Sequence, residues 1–245
     1  MTDRYQEIDD VEDRDPGEMS LVGHLEELRR RMIISCAVIL LASGACYFYA
    51  AELVHLITAP AGKLYYLNPA EAFFTYLKVS FFASLLLALP VIFYQLWAFV
   101  VPALTKEEHK IGTVLVPCSL LLFFMGLGFS YFLVLPAGIK FFMGFATEDL
   151  QPMFSIGQYV SFVVSFLLPF GLIFELPLII LVLAKFGMVN SKYLIAKRKM
   201  VIVLSFVVGA VISPTPDVFS QTMIAVPLLI LYEISIFVVK YALGK

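Results

Sequence analysis

Residues 161–185 read SFVVSFLLPFGLIFELPLIILVLAK. Two serines, one glutamate and a closing lysine are set in an otherwise apolar run, interrupted only by Gly171 and the prolines Pro169 and Pro177. About 20 apolar residues suffice to cross a hydrocarbon core of about 30 Å at 1.5 Å per residue, so the stretch reads as a membrane span. Glu175 lies ten residues from the lysine end, about 15 Å deep and near the midplane. A charge there costs about 2.5–3.5 kcal/mol on insertion scales. The rest of the chain must offset that cost or use it.

The remainder is built for the same solvent. Of 245 residues, 61% are hydrophobic and 15% charged, whereas soluble domains carry about 25% charged residues. With a mean hydropathy of +0.92, the chain is an all-α integral membrane protein rather than a water-soluble domain. Cys36, Cys46 and Cys118 lie in or beside apolar runs without a CxxC pair; they read as small packing residues, with no metal or redox role. Residues 1–18, MTDRYQEIDDVEDRDPGE, hold eight acidic residues against two arginines and read as a disordered aqueous tail. That tail is the opposite of a signal-peptide n-region, so the first apolar run is expected to be retained.

Apolar runs fall at about 32–51, 72–100, 111–135, 156–184, 200–212 and 219–239. The spacing predicts six transmembrane helices, the last two short. Met200–Ile212 has 13 residues, about 20 Å of helix against a core of about 30 Å. Joined to its neighbour by the turn SPTPD (213–217), it would thin the local bilayer; a single re-entrant hairpin over 200–239 is the other reading. Twelve lysines and arginines lie on one side of this topology (Arg29, Arg30, Arg31, Lys106, Lys110, Lys185, Lys192, Lys197, Arg198, Lys199, Lys240, Lys245), against Lys63 and Lys140 on the other. The positive-inside rule puts both termini in the cytoplasm. Pro90, Pro117, Pro169, Pro177 and Pro227 fall inside spans and predict bent helices. No internal repeat is present.

Two segments carry polar chemistry at the cytoplasmic side. In LVGHLEELRRRM (21–32), Leu21, Leu25, Leu28 and Met32 form one apolar stripe, and His24, Glu27 and Arg31 share another face. This reads as an amphipathic interfacial helix before the first span, and its plain account is an i,i+4 Glu27–Arg31 pair with membrane-anchoring arginines. The loop WAFVVPALTKEEHK (97–110) follows an aromatic belt and, by itself, is a solvated loop.

Taken together, HLEELRRR (24–31), YQLWAFVVPALTKEEHK (94–110), FGLIFELP (170–177) and PDVFSQT (216–222) resemble the TatC family, the core subunit of the twin-arginine protein translocase. The resemblance runs from about Met19 to the C-terminus, so the acidic tail lies outside it and 19–245 form the family domain. It implies a concave, glove-like bundle in a bacterial cytoplasmic (inner) membrane. It further implies a receptor for the Arg-Arg motif of signal peptides on folded cargo, driven by the proton-motive force, with no cofactor. TatA-like and TatB-like single-span subunits would be partners, the chain could form a homo-oligomer within the complex, and no nucleic acid is involved. Glu27 and Glu108 are then the candidate carboxylates for the peptide guanidiniums, since Arg–carboxylate pairing is planar and bidentate. Alignment on Pro102-Ala103-Leu104 selects Glu108 over Glu107. Phe99 would be an apolar or cation–π wall, Arg29 a further site residue and Pro102 a structural one.

On the opposite side, Pro60 and the 52–70 and 136–155 loops are expected to form a cap bracing the bundle. Asp217 reads either as the N-cap of the sixth span or as a partner contact, with Gln221 beside it. Within the fourth span, Ser161, Ser165 and Glu175 fall within about 80° on a helical wheel. They predict a polar stripe on a concave, partly wet face where Glu175 hydrogen-bonds a polar group of a partner's membrane segment. Lys78 lies too near the outer end of the second span to neutralise it.

A proton-coupled secondary transporter is the alternative, given Glu175 and Lys78, but such folds carry repeats around a midplane site. An intramembrane protease needs a Ser–His or paired-Asp constellation, or HExxH. His24, His55 and His109 all lie outside the spans, and the chain reads as a non-enzyme.

Overall fold

The computed structural model describes residues 21–61, 63–100, 109–149 and 151–242, and these form an all-helical bundle. The helices are α1 (Leu21–Tyr47), α2 (Ala50–Thr58), α3 (Pro69–Val100), α4 (His109–Phe129), α5 (Leu135–Met143), α6 (Ile156–Phe174), α7 (Leu176–Lys185), α8 (Ser191–Ile212) and α9 (Val218–Ala242). Five segments among the described residues are long and apolar enough to cross a membrane: Gly23–Tyr47, Pro69–Val100, Val114–Met143, Ile156–Lys185 and Val218–Tyr241. The chain is thus a multi-pass membrane protein. The first half of α8 carries Lys192, Lys197, Arg198 and Lys199, which leaves only the short apolar run from Met200 to Ile212 expected from sequence. The acidic tail lies outside the described residues.

Three expected boundaries move, each for a local reason. The segment 21–32 is not a separate interfacial helix: α1 runs unbroken from Leu21 to Tyr47, because LEELRRRM consists of strong helix formers with no proline to stop it. The third span does not end at residue 135. A π-turn over Ser130–Val134 leads directly into α5, with Leu135 N–H donating to Ser130 O, and this wider turn accommodates Pro136, which has no N–H to donate. The expected 136–155 loop therefore begins as helix. The fourth span breaks at Glu175 into α6 and α7, since Pro177 cannot donate to the Ile173 carbonyl. Pro90, Pro117, Pro169 and Pro227 stay within continuous helices.

The turn from α7 to α8 is specified by its residues. Gly187 adopts φ +74°, and Met188 N–H donates to Leu183 O while Gly187 N–H donates to Ala184 O, a Schellman stop that needs glycine at the left-handed position. Asn190 then caps α8 by accepting from Tyr193 N–H at 2.8 Å.

α1 packs along α3, α4 along α6, and α9 against both α8 and α7. The largest core cluster joins α2, α3, α4 and α6 through residues such as Val54, Val79, Phe93, Phe123 and Val163. Close approach of α4 and α6 depends on Gly171, where an added Cβ would meet the Phe123 ring at 2.5 Å.

Candidate functional site

At the N-terminal half of α1 the polar face, not the apolar stripe, meets the protein. Leu25 and Met32 are 64% and 58% exposed, whereas Glu27, Arg31 and His24 turn toward the end of α3. Arg31 Nε donates to Glu27 Oε1 at 3.0 Å and its Nη2 reaches the same oxygen. Arg31 Nη1 also donates to Gln95 Oε1 of α3 at 3.2 Å. His24 stacks on Phe99, with ring centroids 4.2 Å apart and planes at 19°. The structure thus brings Glu27 and Phe99 to one site, with an internal guanidinium on the carboxylate and an imidazole on the aromatic wall. Arg29 is exposed and lines an open hollow of about 590 Å³ with Glu26, Glu27 and Arg30. Glu108 and Pro102 lie outside the described residues, Glu108 immediately before His109 at the start of α4.

Glu175 sits elsewhere, and not on an open face. It is 5% exposed, so the wet concave surface expected for it gives way to an enclosed position. Ser119 Oγ of α4 accepts from the indole N–H of Trp97 of α3 at 2.9 Å. Glu175 Oε1 is buried without a hydrogen-bond partner. The expected polar stripe divides: Ser161 and Ser165 line one cavity with Gln158, Phe142 and Pro214, where Lys78 Nζ donates to Ser161 Oγ at 2.7 Å, and Glu175 lies apart from it. Break geometry explains the split, because the turn at Glu175 ends the wheel on which the stripe was projected. Trp97 and Ser119 were not singled out by sequence. The signal was present in the chain's single tryptophan, whose indole N–H seeks a partner when buried.

On the remaining side, α2 ends in a 3-10 turn over Ala59–Ala61 that contains the exposed Pro60. Glu71, which sequence reading passed over, ties this region together. Its carboxylate accepts from Leu67 N–H at 2.7 Å, from Gly157 N–H at 2.8 Å and from the Ser155 hydroxyl. Asp217 Oδ1 accepts from Ser220 N–H at 2.8 Å, the N-cap bond of α9. Burial pushes the Asp217 carboxyl up, but hydrogen bonds from Thr215 and Ser220 outweigh it and hold it below the usual carboxylate range. Gln221 is engaged internally, donating from Nε2 to Phe206 O of α8 at 2.7 Å. At Gly209 an added Cβ would meet Gln221 O at 2.8 Å, so α8 and α9 pack backbone to backbone there.

The family model of the Sec-independent protein translocase protein (TatC) matches residues 23–227. A Sec-independent protein translocase protein TatC of Carboxydothermus hydrogenoformans is 39% identical over 231 residues, covering 93% of this chain and 95% of its own. That of Aquifex aeolicus is 40% identical, covering 93% and 97%, and that of Escherichia coli K12 is 39% identical, covering 96% and 92%. A crystal structure of the twin-arginine translocase receptor TatC superposes with a TM-score of 0.81 at 40% identity, covering 90% of this chain and 99% of that one. The family model spans most of the chain and these relatives are about 40% identical over nearly all of it, and the chain belongs to the TatC family of Sec-independent protein translocase proteins.

Proposed function

We propose that this protein is the signal-peptide receptor and membrane core of a twin-arginine translocase, exporting folded cargo with TatA-like and TatB-like partners under the proton-motive force. The observation that carries the receptor reading is the guanidinium already on Glu27. Arg31 occupies that carboxylate with two nitrogens, which is the chemistry a cargo arginine requires. An incoming arginine exchanges with Arg31, which retains its bond to Gln95. Glu108, between the end of α3 and the start of α4 in sequence, supplies the second carboxylate, and Arg29 borders the hollow beside Glu27. Lysine in the cargo keeps the charge but loses the planar fork, so the site selects arginine.

The proposed setting is a bacterial inner membrane, with six spans in a concave bundle and both termini in the cytoplasm. The short α8 is the fifth span. The lysine and arginine asymmetry supports this orientation, and it places Glu27 and Phe99 where unexported cargo arrives. Pro60, with the Glu71 clamp beyond it, braces the far side. Co-purification of the detergent-extracted protein with a twin-arginine signal peptide, set against a lysine-lysine control, tests the receptor reading. Retention of the arginine peptide alone supports it, and equal retention of both removes it.

A further inference from the structure

Glu71 and Lys78 share one face of α3, at the end of the bundle opposite Glu27 and Phe99. Both meet α6. Glu71 Oε1 accepts from Gly157 N–H at 2.8 Å, and Lys78 Nζ donates to Ser161 Oγ at 2.7 Å. Ser161 Oγ in turn donates to Gly157 O at 2.6 Å. Gly157 and Ser161 are one turn apart, so α6 anchors the carboxylate and the ammonium about 5 Å from each other along its axis. The two do not pair: the ion pairs among the described residues are Glu27–Arg31 and Arg198–Glu233. Lys78 is therefore a cation in a membrane span held on a neutral hydroxyl, an arrangement that marks a binding site. A hollow of about 460 Å³ between α3 and α6 is lined by Glu71, Phe74, Thr75, Lys78, Gln158 and Ser161.

We propose that this hollow binds a phosphatidylethanolamine, with its phosphodiester on Lys78 and its primary ammonium on Glu71. Depth supports the assignment. α3 has 32 residues, about 48 Å of helix against a core of about 30 Å. Centred on that core, it places Lys78 about 4–5 Å inside the hydrocarbon boundary and Glu71 about 6 Å outside it. A lysine stem returns its ammonium to that boundary. The cation is thus the deeper charge and the anion the shallower, which complements a headgroup whose phosphate lies nearer the hydrocarbon than its ammonium. Each group has capacity left. Of about four acceptor positions on a carboxylate, Glu71 commits three, to Leu67 N–H, Gly157 N–H and the Ser155 hydroxyl. Of three ammonium protons on Lys78, one is on Ser161. A quaternary choline nitrogen has no proton for Glu71, and a phosphatidylglycerol has no cation for it. Phe81, exposed one turn deeper on α3, continues the stripe as an apolar track for an acyl chain. Only the leaflet occupied rests on the orientation proposed above; the site itself does not.

Native mass spectrometry of the full chain, released from nanodiscs of phosphatidylethanolamine, phosphatidylcholine and phosphatidylglycerol in equal parts with identical acyl chains, reads which lipid stays bound. Both leaflets carry the same mixture, so the result is independent of orientation. Wild type should retain phosphatidylethanolamine in roughly tenfold preference over the other two, as charge-assisted hydrogen bonds at both ends support. Lys78→Gln should lose that retention, while Lys140→Gln, at an exposed lysine of the same end, should keep it. Glu71→Gln should still hold a phospholipid but take the three classes alike. Lys78 is exposed, so its substitution leaves the core intact and decides the proposal even if Glu71→Gln fails to fold. Soluble phosphoethanolamine should not displace the lipid; displacement would make the free headgroup the ligand and overturn the lipid assignment. Wild-type retention by Lys78→Gln, or equal retention of all three classes by wild type, overturns the site. A wild-type preference for phosphatidylglycerol overturns the contact between Glu71 and the lipid ammonium.

Discussion

If Arg31 is a stand-in for cargo arginine, removing it should tighten cargo binding. The perturbation is Arg31→Gln, which abolishes the charge and the fork while keeping a polar chain that can still reach Gln95. The Arg31 and Glu27 side chains are 20% and 26% exposed, so their pair belongs near the upper part of the range for exposed ion pairs, about 0.5–1 kcal/mol. That free energy opposes every incoming guanidinium, and its removal corresponds to about a two- to fivefold lower Kd. Arg31→Lys should fall between, since a point charge competes less well for a planar carboxylate. Fluorescence anisotropy of a labelled twin-arginine peptide, titrated with the nanodisc-embedded protein, reads the change directly. If Arg31→Gln weakens binding as strongly as Glu27→Gln does, Arg31 is part of the receptor and the exchange picture fails.

Three further outcomes are expected. Asp217→Ala should lower the thermal midpoint of the detergent-solubilised protein through loss of the α9 cap, about 1 kcal/mol, with Asp217→Asn close to wild type; equal loss in both would refute a capping role. Because the folded Asp217 carboxyl is held below its usual range, its contribution is present above that range and disappears as pH falls through the lowered value, which a midpoint-versus-pH series of wild type and Asp217→Asn would resolve. Gly171→Ala should destabilise by about 1–3 kcal/mol through overpacking against the buried Phe123 ring, and Phe123→Leu should relieve it; additive losses in the double variant would contradict that contact. For topology, cysteines placed at 63 and 192 on a cysteine-free background should label from outside and inside respectively, and outside labelling at 192 with none at 63 would reverse the orientation.

Five of the six expected spans were legible because oil-soluble length is a one-dimensional property. Glu175 and the Glu27–Arg31 pairing stand out for the same reason: one is a charge inside a run, the other an i,i+4 spacing within one helix. Proline chemistry was legible only in part. Pro177 and Pro136 obey the same rule, yet whether the chain breaks, as at Glu175, or passes through a π-turn, as at Ser130–Val134, depends on neighbours a single sequence does not display. Which face of α1 turns inward was not legible, because its apolar stripe suits lipid as well as protein, and only the partners on α3 decide it. Contacts between distant elements were not visible. Glu71 with Gly157 and Trp97 with Ser119 join residues far apart in sequence, and each needs the fold to bring donor and acceptor together.

The central claim is that two carboxylates at the cytoplasmic end read arginine rather than charge. The most direct measurement is the ratio of Kd values for a signal peptide with an arginine pair and the same peptide with a lysine pair, in wild type and in the Glu27→Gln/Glu108→Gln double variant. Charge-assisted hydrogen bonds of about 1.5–3 kcal/mol correspond to roughly a tenfold or greater preference for arginine in wild type, and the account predicts that the double variant binds both peptides weakly and alike. A double variant that still prefers the arginine peptide by the wild-type ratio would contradict it.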